Sequence, residues 1–188
     1  MIPEMTFEEA RPLIKNGDAI NIYRTDGWSL KSPLYGIINF MSGSPIYHVV
    51  VAMWMTTPNG TQRLMCVEAN LLGGKRIVPL SIYRRRRMEV MPWPANYNFG
   101  MMEEKLVARV ATQPYGLVNF ITIGLREFFG IKKQARSISK GQVCSELVSE
   151  AWIEGGFPFN ETVISPGKLK GEMMRLGVSP SIVIPPIT

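Results

Sequence analysis

The stretch "YHVVVAMWM", residues 47–55, constrains this chain more than any other. Apolar residues fill both parities, with three valines in a row, so the segment reads as a β-strand buried on both faces. Such a strand needs a sheet around it and cover on each side. The chain can supply both, because its 188 residues are 46% hydrophobic and 19% charged, enough for one domain with a proper core.

The remaining elements follow from local punctuation. After the central strand, "TTPNGTQ" carries an Asn59-Gly60 turn signal, and "RLMCVEA" returns as the partner strand. "DAINIY" precedes as a strand, "RMEVMPW" follows as another ended by Pro92 and Pro94, and "SIVI" adds one before the Pro-rich end. Helices are expected over "TFEEARPLIKNG", capped by Thr6 with Gly17 following its end, and over "SPLYGIINFMSGS". Others are expected over "NFGMMEEKLVARVATQ", "GLVNFITIGLREFFG", "VCSELVSEAWIEGG" and "SPGKLKGEMMRLG". With no repeat and no linker, the expectation is a single α+β domain over residues 1–188: a small antiparallel sheet packed with helices.

Composition removes several function classes. Two cysteines, Cys66 and Cys144, are too few for a disulfide framework, and one histidine, His48, is too few for a zinc or di-metal centre. No cofactor is implied. The N-terminus lacks the basic start and apolar run of a signal peptide, so a cytoplasmic product is expected. Nor does any stretch approach the roughly 20 apolar residues of a membrane span. The net charge of +6 is partly local, in the run Arg84, Arg85, Arg86, Arg87. Such a run is ordinarily a solvated face; the alternative is an anionic surface as partner, with no specific nucleic acid indicated.

The chemistry-bearing residues converge on "GQVCSELVSEAW". In a helix from residue 144, Cys144, Leu147, Val148, Ala151 and Trp152 form one apolar stripe, with Cys144 in the first turn. At such a position a thiol sees the positive end of the helix dipole, where cysteine pKa values run from about 3.5 to 7.5 instead of about 8.5. The plain alternative is a small buried hydrophobe. His48 is the one imidazole base, or a structural histidine at a strand edge. The hairpin brings Glu68 back beside His48, and one of the registers it allows sets the two directly opposite. An acid within "LMCVEA" needs a partner to offset its burial, and a ring N–H is one; a paired structural carboxylate is the other reading. A thiol, a base and an orienting acid together match nucleophilic acyl transfer.

In this order the segments resemble the circularly permuted branch of the NlpC superfamily of papain-like cysteine hydrolases, which has lecithin-retinol acyltransferase-like relatives. "NGDAINIY" is similar to that family's opening Gly-Asp strand, and "INFMSGSPIYHVVVAMW" to its small-residue loop and histidine strand. "VEA" follows the hairpin, "QPYGLVNF" is similar to its Tyr-containing helix, "VCSELV" to its cysteine helix and "ISPGKL" to its Ser-Pro turn. The likeness covers about residues 17–170. It implies a circularly permuted papain-like fold with Cys144 as nucleophile, His48 as general base, Glu68 as polar third member and Tyr115 lining the pocket. Members often carry Asp after that tyrosine; here it is Gly116, so a polar role is not carried over. Cys66 has no motif support and reads as core.

The resemblance implies a cysteine hydrolase. One substrate is an amide bond in a peptidoglycan peptide, with delivery to the cell wall inside a larger assembly such as a phage particle. The alternatives are a lipid-directed esterase or acyltransferase of the same superfamily, drawing on the apolar "FITIGLREFFGI" and the arginine run, and a catalytically idle binding domain.

Overall fold

The computed structural model describes residues 1–24, 44–70, 74–112, 144–160, 162 and 165–187. Its centre is a six-stranded antiparallel sheet: β1 (Ala19–Tyr23), β2 (Ile46–Thr56), β3 (Gln62–Asn70), β4 (Gly74–Pro79), β5 (Met88–Met91) and β6 (Ile182–Ile184). The strand order is β4-β3-β2-β1-β5-β6. Four α-helices accompany it among the described residues: α1 (Phe7–Ala10), α2 (Phe99–Thr112), α3 (Cys144–Glu154) and α4 (Pro166–Arg175). No helix among the described residues is long and apolar enough to cross a membrane. The helices expected over residues 32–43 and 116–130 lie outside the described residues.

The two-sided apolar run does what its pattern demands. From β2, Val49, Val51 and Met53 point into a core with Met102 and Leu106 of α2, Leu147, Val148, Ala151 and Trp152 of α3, and Leu169 and Met173 of α4. Val50 and Ala52 point the other way, into a second core with Ile20 and Ile22 of β1, Cys66 of β3, Phe7 and Ala10 of α1, Leu80 and Tyr83. Each face of the strand is thereby dry, and each buried Val or Leu contributes about 1.5–3 kcal/mol. Thr6 and Glu9 close a capping box on α1, and Ser165 caps α4 by accepting from the Lys168 N–H at 3.3 Å. Gly17, at φ +91°, turns the chain into β1 where a Cβ would lie 2.9 Å from Met102 Cε, so both backbone and space require glycine.

Two features of the sheet depart from the simple hairpin expected. One is β4, "GKRIVP", a strand the sequence reading did not anticipate; it pairs along β3 from Met65↔Pro79 to Asn70↔Gly74. The other is stagger. β2 pairs with β1 through its first half, up to Ala19↔Val51, and with β3 through its second half, from Val51↔Val67 to Thr56↔Gln62. β2 and β3 therefore part before His48 and Glu68, although β3 stays paired to β4 on its other side. Next to this parting, the β1–β2 register shifts between Ile22↔His48 and Tyr23↔Ile46, leaving a bulge at Tyr47.

Candidate active site

The site is built at that parting. Alternation along β2 and β3 puts His48 on the side of Val50 and Glu68 on the side of Cys66, so the two share a face. They are diagonal neighbours and not directly opposite: the register sets Val51 against Val67 and Ala52 against Cys66, two residues away from direct pairing. The turn explains the difference. The Gly60 N–H donates to the Thr57 carbonyl at 2.8 Å, Gly60 takes φ +80°, and Thr57 and Thr61 bond each other, so the loop is longer than a two-residue Asn-Gly turn.

Across the gap, His48 Nε2 meets Glu68 Oε2 at 2.8 Å. Glu68 is fully buried and receives two more donors: Arg76 Nε at 2.6 Å on Oε1, and the Tyr83 hydroxyl on Oε2. Arg76 is the direct cross-strand partner of Glu68 on β4. Tyr83, just after β4, also sets its ring 5.8 Å from the His48 ring. A buried carboxylate with three donors is satisfied, and these donors outweigh the burial that opposes its charge, holding its pKa down to about 2.

Cys144 heads α3, whose stripe docks on the opposite face of the sheet, with Leu147, Val148, Ala151 and Trp152 all buried. At the gap no strand ladder separates the two faces, and Cys144 comes close enough to the His48 ring to act on its protonation. Burial pulls the His48 pKa down, but the charge of Cys144, its hydrogen bond to the ring, and the bond and charge of Glu68 together raise it to about 9. With Nε2 committed to Glu68, Nδ1 is the ring nitrogen left for the sulfur. Both groups are nearly enclosed, at 6% exposure for His48 and 8% for Cys144.

The arrangement thus brings together His48, Glu68 and Cys144. Tyr115, the fourth residue singled out from the sequence, lies outside the described residues. Cys66 is fully buried in the second core, where burial first and the Glu68 charge second push its thiol well above the ordinary range. Arg76 and Tyr83 were missed. "GKRIVP" has the β-branched Ile77 and Val78 but no polar–apolar alternation, so nothing local marked the strand that returns Arg76 to Glu68, and nothing local to Tyr83 pointed to it.

The chemistry open to such a set is proton exchange between a thiol and an imidazole, with a carboxylate fixing the ring. Neither a protein-family model nor a curated protein matches the chain.

Proposed function

We propose that this protein is a cysteine hydrolase in which Cys144 attacks a carbonyl carbon, His48 moves the proton and Glu68 holds the ring. The observation that carries the reading is a buried imidazole shared between one carboxylate at 2.8 Å and the thiol at the head of a helix. The ring takes the thiol proton, and the sulfur adds to the substrate carbonyl. Backbone N–H groups at the start of α3 face the developing oxyanion. His48 then gives its proton to the leaving amine or alcohol as the tetrahedral species collapses to a thioester. Water, deprotonated by the same ring, adds to the thioester; the acid departs and the thiol is restored. A ring pKa of about 9 lets His48 hold the proton taken from the thiol near neutral pH, ready for the leaving group.

A circularly permuted papain-like fold fits the order of segments: histidine strand first, acid after the hairpin, cysteine helix last. The substrate proposed is an amide bond in a peptidoglycan peptide. A protein made in the cytoplasm would reach it inside a larger assembly such as a phage particle. The test is incubation of purified protein with muropeptides and, separately, with acyl esters, alongside Cys144→Ala. Release of new amino termini from muropeptides, abolished in the variant, supports the reading. Ester cleavage without amide cleavage moves it to a lipid-directed esterase, and equal activity in Cys144→Ala removes it.

A further inference from the structure

The arginine run is exposed at Arg84, Arg85 and Arg87, yet the turn that carries it is braced by three contacts, two of them at the site. Tyr83, the residue before it, is bonded to Glu68. Arg86 sets its guanidinium 5.9 Å from the centre of the Tyr47 ring, and Tyr47 is the bulge residue next to His48, the two rings stacked at 6.1 Å. Arg87 lies 5.7 Å from the centre of the Tyr23 ring, and its carbonyl accepts the Tyr23 N–H at 2.8 Å. That bond extends the β1–β5 ladder by one row beyond Ile22↔Met88, the row that also contains His48.

Three adjacent strands at about 4.8 Å spacing put the Arg87 backbone roughly 10 Å from that of β2, two strands from His48. The turn itself is held by the Arg86 N–H on the Tyr83 carbonyl at 2.8 Å and the Ile187 N–H on the Arg84 carbonyl at 3.0 Å. The two carboxylates at this end of the sheet already have cations: Glu68 has Arg76, and Glu89 has Lys170 at 2.7 Å. Arg84, Arg85 and Arg87 pair with no carboxylate among the described residues.

We infer that the turn Arg84–Arg87 is an anion-recognition element of the site, taking a carboxylate or phosphate group on the acyl substrate. The inference rests on the acyl-transfer reading above for its substrate, though not for the anion site itself. The Arg86 guanidinium lies on the Tyr47 ring that stacks beside His48, while Arg87 lies on the Tyr23 ring in the neighbouring strand, so the turn spans the edge of the site. A bidentate arginine–oxyanion contact is strong and directional, so it fixes which end of a substrate enters.

Two measurements test this. In the first, inorganic phosphate is titrated at constant ionic strength while the ring resonances of His48, the chain's single histidine, are followed by NMR. Saturable shifts are expected in the wild type and absent in Arg86→Gln/Arg87→Gln, with Arg63→Gln, on the far end of β3, as control. In the second, p-nitrophenyl hemiesters of dicarboxylic acids of increasing length are compared with the matching monocarboxylic esters. At the best length the anionic ester is expected to have roughly tenfold or greater advantage in kcat/KM, carried by KM and collapsing in the double variant. Arginine-dependent phosphate shifts without turnover of any ester would sink the acyl-transfer reading and leave the anion site standing. Turnover with no anionic preference and no such shifts would overturn the anion site alone. Arginine-dependent binding to phosphatidylglycerol vesicles, with no phosphate effect on His48, would assign the run to a lipid surface and also overturn it.

Discussion

His48 and Glu68 bond at 2.8 Å across two strands whose ladder has already ended. The parting gives the imidazole room to contact a carboxylate on one side and a thiol on the other. It also leaves Glu68 tying together β2, β4 and the turn at Tyr83. Glu68→Ala should therefore destabilise the fold by about 3 kcal/mol, because it strands a buried charged imidazole. The Arg76 pair adds little to that figure, since Arg76 is 42% exposed. Glu68→Gln, which retains an acceptor for Tyr83, should cost clearly less. Urea denaturation of the two variants checks the order; equal losses would contradict the role given to the carboxylate.

The chain's single histidine makes its protonation directly observable. The ring should stay protonated through neutral pH and titrate near 9 by NMR. Cys144→Ala and Glu68→Gln should each lower that midpoint, because both partners favour the protonated ring. A midpoint near 6.5, unmoved by either change, would mean that the ring senses neither partner.

The same shifts set a pH window for stability. The His48 pKa is raised from 6.5 to about 9, so its contribution is complete below 6.5 and lost as pH rises through about 9. The Glu68 pKa is lowered from 4.5 to about 2, so its contribution is complete above 4.5 and lost as pH falls through about 2. Both are in full force between pH 4.5 and 6.5. The stability gap between wild type and Glu68→Gln should be widest there and should narrow above pH 9 and toward pH 2, as read by chemical denaturation across pH.

Much of this site follows from short-range pattern. The two-sided run of β2, the stripe of α3 and the caps at Thr6 and Ser165 depend on periodicity and end chemistry, and all are found. Glu68 was placed beside His48 by its hairpin, but the register was set by a five-residue loop around Gly60 that a bare Asn-Gly signal does not specify. The parting of β2 from β3 has no local signature at all. It arises from stagger among three strands, so the partners it admits, Arg76 and Tyr83, depend on tertiary placement.

Turnover should divide the site residues by role. On the proposed mechanism, His48→Ala removes the base and should cost about 10²–10⁴-fold in kcat/KM, and Cys144→Ala should leave no acyl-enzyme to detect by mass spectrometry. Glu68→Gln should fall between these and wild type, because an orienting group is partly replaceable. A Glu68→Gln enzyme as impaired as His48→Ala would make the carboxylate more than an orienting group.

The two thiols provide the most direct test of whether Cys144 is activated. Cys66 is fully enclosed, and burial raises its pKa. Cys144 at the head of α3 acts on the His48 ring and raises its pKa. Iodoacetamide at pH 6, followed by peptide mapping of the folded protein, should modify Cys144 and spare Cys66, and His48→Ala should remove much of that selectivity. Equal modification of both cysteines, or modification of Cys144 that is indifferent to His48, would contradict the account.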